Sequence, residues 1–272
     1  MSVRQRNNIN VLGDGPMTLF FGHGFGCDQN MWRLMIPELV GNYRLVLFDL
    51  VGSGLSDAGA YDRDKYDTLH GYAQDLLEIV DAYARGPSVL VGHSVSAMIG
   101  ALAELAAPGS VAGHVMIGPS PCYINHSDYA GGFALADIQE LLDTLDSNYL
   151  GWSSTTAPAI MGAPEQPHLT EELTHSFCRA DPAVASHFAR VTFMSDLRAE
   201  MACLQAPTLI LQCSDDLIVP VSVGTYLSQT IPNATLRLID NVGHLPHLSS
   251  PSACAEAMRE FLPTLEQSTH AD

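Results

Sequence analysis

A chain of 272 residues, 47% hydrophobic and 15% charged, has room for one large buried core, and its composition excludes a disordered or fibrous polymer. A formal net charge of −18 excludes nucleic acid and an anionic membrane as partners, because both repel an acidic surface. Six scattered cysteines with no Cys-x-x-Cys pair suit reduced thiols in a cytoplasmic protein, and neither a secretory signal nor a membrane span is expected from the hydropathy.

In chain order, residues 9–12 and 17–22 are apolar around Asp14-Gly15, which predicts a β-hairpin. The second strand ends in His23-Gly24-Phe25-Gly26-Cys27-Asp28-Gln29, where two glycines let backbone N–H groups approach a site. Taken alone, this loop reads as a strand-to-helix turn. Asp28 is placed to cap a helix carrying Trp32, Met35 and Leu39. Leu45–Asp49 reads as a buried strand, and the Gly- and Ser-rich loop after it has neither phosphate-loop nor dinucleotide spacing. A helix from about Leu69 to Ala84 leads into the next strand, Val89-Leu90-Val91-Gly92.

That strand turns at His93-Ser94-Val95-Ser96 into an apolar helical series, Ala97 to Leu105. A serine at a sharp strand-to-helix corner is a nucleophile elbow, exposed above the free N–H groups of the helix N-terminus. With an elbow present, the His23–Gln29 loop becomes the second source of oxyanion donors, so the N–H groups of Phe25 and Val95 are the expected pair. The elbow pattern asks for Gly two residues after the nucleophile, and here stands Ser96. The added Cβ predicts a small misplacement of the Val95 N–H, with the hydroxyl satisfied by a local backbone partner. His93 reads as a packed loop residue.

Val111–Ile117 is the next strand, and the strand–helix alternation predicts a mostly parallel twisted sheet with helices on both faces. From 123 to 196 the pattern is helical throughout, with segments at Ala134–Leu145, Gly151–Ile160, Thr170–Phe177 and Pro182–Phe193. A helical block interrupting an α/β chain predicts a lid, dividing the chain into core 1–122, lid 123–196 and core 197–272. Of its aromatics Phe133, Tyr149, Trp152, Phe177, Phe188 and Phe193, about half are expected to line a pocket and the rest to pack on the body. Pro207–Gln212 resumes the sheet before Ser214-Asp215-Asp216, and Ala234–Ile239 is the last strand before Gly243-His244-Leu245-Pro246-His247. A helix from Pro251 to Leu262 closes the fold, followed by ten residues expected to fray.

Ser, then Asp, then His, each after its own strand, is the chain order of an α/β-hydrolase triad: Ser94, Asp216, His244. Asp216 stands four residues before Pro220, with Asp215 as the neighbouring alternative. His247 is either a rival for His244 or a wall of the pocket. The His244-x-x-His247 spacing invites a metal, but no Glu and no third ligand accompany it, so no metal is expected there. The chemistry of such a triad needs no cofactor.

The same residues resemble a known family. His23–Gln29, Phe48–Gly54, Gly92–Val95, Gly118–Tyr123, Gly131–Phe133, Leu211–Asp216 and Gly243–His247 are similar to α/β hydrolases of the RsbQ type, bacterial stress-response regulators related to the plant strigolactone and karrikin receptors. The resemblance implies a four-helix lid over a deep apolar pocket, with Phe133, Trp152 and Phe193 on pocket-lining positions. The aromatic content of the lid and the lack of a basic cluster favour a small, neutral, apolar ester or lactone as substrate or ligand. The resemblance also implies a second role, a sensor that signals to a protein partner, which in the RsbQ type is a phosphatase with a sensory domain.

Overall fold

The computed structural model describes residues 1–268. Seven strands form one sheet: β1 (Asn10–Leu12), β2 (Thr18–Gly22), β3 (Arg44–Leu47), β4 (Ser88–His93), β5 (Gly113–Ile117), β6 (Thr208–Asp215) and β7 (Ala234–Val242). Their spatial order is β1-β3-β2-β4-β5-β6-β7; β1 runs antiparallel to β3 and every other pair is parallel. The central strands β2 to β5 are buried at every position, as a parallel sheet covered on both faces requires.

The expected hairpin between residues 9–12 and 17–22 does not form. β2 is buried along its whole length and takes parallel partners on both edges, β3 and β4, while β1 has exposed ends and serves as an edge strand on β3. The Asp14-Gly15 turn instead lies against the backbone of Asn42 and Tyr43, so close that a Cβ on Gly15 would overlap the Asn42 carbonyl.

Side chains alternate across the sheet with the period of two that a strand imposes. Leu19 and Phe21 face Trp32, Met35 and, from the C-terminal helix, Met258 and Leu262. Phe20 faces the opposite way, in the cluster with Leu76, Leu90, Ile99, Met116 and Ile210. Helices α1 (Leu69–Tyr83) and α2 (Val95–Ala106) cover this second face. Asp28 accepts from the Asn30 N–H at 2.9 Å, but the helix it caps is a 3-10 turn, Gln29–Trp32, followed by one short turn at Ile36–Leu39.

Between β5 and β6 stand α3 (Leu135–Met161), α4 (Pro167–Arg179) and α5 (Pro182–Phe193). α3 is two helices joined end to end: Asn148 has φ −152° and ψ 64°, and its side chain accepts from the Gly151 N–H at 3.1 Å, capping the second half. The block therefore holds four helical segments. α6 (Val221–Thr230) and α7 (Pro251–Ser268) complete the layers. α7 continues through the first part of the expected frayed tail; residues 269–272 lie outside the described residues. No helix among the described residues is long and apolar enough to cross a membrane.

Candidate active site

β4 ends by running directly into α2, and the corner leaves no room for a side chain. A Cβ on Gly92 would sit 2.5 Å from the Ala97 nitrogen, so glycine is required by close approach. Ser94 at the corner has φ 55° and ψ −120°, a strained backbone that persists because its surroundings fix it. Its N–H donates to the Ile117 carbonyl at 2.8 Å, tying the corner to β5.

The loop after β7 brings His244 to this corner. His244 Nε2 lies 2.9 Å from Ser94 Oγ, and His244 Nδ1 lies 2.7 Å from Asp216 Oδ2. The second carboxylate oxygen of Asp216 accepts the N–H groups of Ile218 and Val219 at 2.8 and 3.1 Å, so the acid is held in place from both sides. Asp215 is exposed and contributes its carbonyl, which accepts from the Gly243 N–H at 2.8 Å. With Asp216 on Nδ1, Nε2 of a neutral His244 is free to accept the Ser94 hydroxyl proton. The Val95 N–H stands at the first position of α2, where the helix offers no acceptor. The Phe25 N–H donates to no acceptor among the described residues. These two are the expected donors for an oxyanion.

Ser94 and His244 open into a cavity of about 220 Å³. Phe25, Phe133, Trp152, Phe177, Phe193 and Leu245 are among its walls, and Asp137 is the carboxylate that borders it. The Phe25 ring sits among Trp152, Phe177, Phe188 and Phe193 with ring centres 5.8 to 6.3 Å away.

A sequence profile described as the alpha/beta hydrolase family matches residues 19–257. The chain belongs to the alpha/beta hydrolase family. Among similar proteins are the Karrikin insensitive 2 receptor CA of Petunia hybrida, 36% identical over 99% of this chain and 98% of that protein, and the Strigolactone esterase D14 of Arabidopsis thaliana, 37% identical over 94% and 96%. A solved hydrolase from Oleispira antarctica superposes with a TM-score of 0.93, at 41% identity over 96% of each chain.

Within this hydrolase fold the anticipated residues part company at His247. Phe133, Trp152 and Phe193 line the cavity, but His247 does not. It lies fully buried behind the site, its ring 4.5 Å from both Trp32 and His93, with both ring nitrogens unpartnered. Its place is explained by the short turn Pro246–Ser249, which carries the side chain into the core three residues after His244. Burial first, and then His244 and Arg33, push its pKa down to about 3. His93 is also held well below the usual range, first by burial and then by His247. Neutral His93 donates from Nε2 to the His244 carbonyl at 2.9 Å and so braces His244 from beneath. Of the six aromatics singled out, Phe188 packs on Tyr72 at 4.8 Å and Tyr149 lines a separate recess, so those two stay outside this cavity.

Ser96 finds a distant partner rather than a local one. Its hydroxyl donates to the His23 carbonyl at 2.5 Å, and its side chain fills the space over Gly22, where an added Cβ would come within 2.9 Å of it. The residue thus fastens the elbow helix to the loop that carries Phe25. Sequence reasoning also gave no role to Tyr123. Its hydroxyl lies 3.4 Å from Ser94 Oγ, and burial raises its pKa to about 12, so it stays protonated. Its place at the end of the Gly118–Tyr123 stretch was the available signal.

Proposed function

We propose that this protein is a serine hydrolase of small, neutral, apolar esters or lactones. The observation that carries the reading is the unbroken chain from Ser94 Oγ through His244 to Asp216, at 2.9 and 2.7 Å, at the floor of an aromatic cavity. Ser94 Oγ attacks the substrate carbonyl while His244 Nε2 takes its proton. The carbonyl oxygen becomes an oxyanion held by the Phe25 and Val95 N–H groups. Collapse breaks the carbonyl–oxygen ester bond, and His244 returns the proton to the departing alkoxide, which in a lactone stays tethered. Water, deprotonated by His244, then attacks the acyl-enzyme and regenerates Ser94. Asp216 holds the imidazole in the required tautomer and stabilises its charged form.

The substrate class follows from the walls. They are almost wholly apolar, and Asp137 at their border repels anionic ligands. In this reading the chain is a core domain, 1–122 and 197–272, interrupted by a lid, 123–196, and it works in the cytoplasm.

Ser94→Ala tests the assignment. Turnover of a short-chain p-nitrophenyl ester should fall by ~10⁴–10⁶ with the fold intact, and a serine-reactive phosphonate should label the wild type once, at Ser94. Retained activity in the variant, or a label elsewhere, overturns the reading.

The similarity to the petunia receptor over 99% of the chain favours a second reading at the same site. In it the protein is a sensor of the RsbQ type that binds or slowly hydrolyses its ligand and signals to a protein such as a sensor phosphatase. Turnover separates the two. A metabolic esterase reaches ~1–10³ per second on a good substrate, and a sensor runs orders of magnitude slower.

A further inference from the structure

Cys122 and Asp196 face each other where the chain leaves the α/β layers for the helical block and where it comes back. They form an antiparallel bridge, and next to it the Leu197 N–H donates to the Pro121 carbonyl at 2.8 Å. Just beyond Cys122 the chain folds back on itself. His126 and Tyr129 pair across a tight turn, and the Tyr129 hydroxyl donates to the Cys122 carbonyl at 2.8 Å. This fold-back carries His126 Nε2 to 3.7 Å from Cys122 Sγ and 3.9 Å from Asp196 Oδ2. All three atoms lie within 4.8 Å of one another.

We propose that Cys122, His126 and Asp196 form a binding site for Zn²⁺ at this neck, separate from the cavity and independent of the hydrolase reading. Tetrahedral zinc with sulfur at ~2.3 Å and nitrogen or oxygen at ~2.0–2.1 Å sets its ligands roughly 3.3–3.6 Å apart. The two spacings to His126, 3.7 and 3.9 Å, need to close by a few tenths of an ångström, and that between Cys122 Sγ and Asp196 Oδ2, within 4.8 Å, by at most about 1.5 Å. The His126 side chain, 40% exposed on its turn, is free to make that movement. One thiolate, one imidazole and one carboxylate suit zinc, whereas Mg²⁺ and Ca²⁺ take oxygen ligands.

Arg198 already donates to Asp196, from Nε to Oδ1 at 2.8 Å and from Nη2 to Oδ2 at 2.7 Å. Oδ1 also accepts from the Arg198 backbone N–H at 3.3 Å, whereas Oδ2, the oxygen nearest His126, keeps a further lone pair, so the arginine orients the ligand and leaves that oxygen available. The fourth position faces solvent beside the two exposed ligands. Binding exchanges the Cys122 thiol proton, released to solvent, for a sulfur–zinc bond, and the weak contact of that thiol with the Ile124 carbonyl at 3.5 Å is given up. The ion would clasp the outgoing strand to the returning one, next to Tyr123 and on the loop that ends at Phe133. Both of those residues line the cavity.

The test is a Co²⁺ titration of the full, tag-free chain after chelator treatment. One equivalent should bind, with near-ultraviolet sulfur-to-cobalt absorption and visible bands of tetrahedral cobalt, and Zn²⁺ should displace it. Cys122→Ser should remove the near-ultraviolet band. His126→Ala, on an exposed turn where folding is not at stake, should lower affinity by at least about tenfold. Cys203→Ser, which removes an exposed thiol elsewhere, and Ser94→Ala should both leave binding unchanged, so failure here is distinct from failure of the triad. No stoichiometric binding by the folded wild type, a near-ultraviolet band that survives Cys122→Ser, or an affinity unchanged in His126→Ala overturns the proposal.

Discussion

The floor and the roof of the cavity are built by different physics. The floor is a set of directed hydrogen bonds: Ser94 N–H to Ile117, Gly243 N–H to Asp215, Asp216 to two backbone donors and to His244, and His93 to the His244 carbonyl. The roof meets the floor mainly through rings around Phe25. Its polar ties include Ser176 to the Gly26 carbonyl at 2.9 Å, Arg179 to Asp28 at 3.0 Å and the His244 N–H to Ile160 at 2.8 Å. Hydrogen bonds fix distance and angle. Apolar contact fixes volume and leaves direction loose. In the proposed reaction bond-making therefore belongs to the floor and choice of substrate to the roof, and substitutions in the two regions should fail in different ways.

The floor predicts the largest effect after Ser94 itself. Asp216→Asn keeps the shape but presents the wrong partner to His244 Nδ1, so turnover should drop on the order of 10⁴-fold. Asp215→Asn should leave turnover nearly unchanged, because Asp215 uses its carbonyl rather than its carboxylate. Steady-state rates of the two variants on one ester decide; equal losses would remove Asp216 from its role.

The roof predicts a change of preference. Trp152 lies stacked on Phe177 with ring centres 5.3 Å apart and walls the cavity. Trp152→Leu should move the optimum toward longer acyl chains, with kcat/KM ratios between chain lengths shifting on the order of tenfold. An unchanged chain-length profile would mean that the roof does not select.

Ser96 stands where floor and loop meet. In the sequence, its Cβ predicts a small misplacement of the Val95 N–H, which glycine would relieve. The bond to the His23 carbonyl reverses that expectation, because Ser96→Gly would free the loop carrying Phe25, the proposed oxyanion donor, and leave a buried carbonyl unpaired. Turnover should fall several-fold, within the loss of ~10²-fold or more known for a whole oxyanion donor, while KM stays near the wild type. Ser96→Thr, which keeps the hydroxyl, should recover part of the rate. A glycine variant as fast as the wild type would show that the loop holds its place without Ser96.

The floor was legible in the sequence because each of its parts carries a local mark: Gly92 before Ser94, Asp216 past one strand, and Gly243-His244 past another. What failed to read were facts set by distant neighbours. The Asp14-Gly15 turn has the composition of a hairpin, yet β2 takes its partners from β3 and β4. His247 is polar and three residues from His244, and only the turn at Pro246 sends it into the core. Phe188 and Phe193 share α5, and nothing in their types says that Phe193 faces the cavity while Phe188 faces Tyr72. Ser96 marked itself by breaking a motif, but its partner lies 73 positions away.

The smallest expected effect concerns what lies beneath the floor. The His93 and His247 rings lie tilted against each other with centres 4.5 Å apart, and burial keeps both uncharged, with His247 at about 3. In the unfolded chain each titrates near ~6.5. As pH falls below that value, the unfolded state binds protons that the native state refuses, so the native state loses stability; the contribution is complete above the unfolded pKa and declines as pH falls toward the folded one. Between pH 7 and 5.5, above the ordinary carboxylate range, the loss should be about 1 kcal/mol for each histidine. Urea unfolding at the two pH values measures it. His247→Gln has no proton to refuse at this position, so its stability should change less steeply with pH than that of the wild type, whatever its stability at pH 7. Parallel pH dependences for the two proteins would show that His247 takes up its proton in place, and that the ground under the floor is not kept neutral by burial.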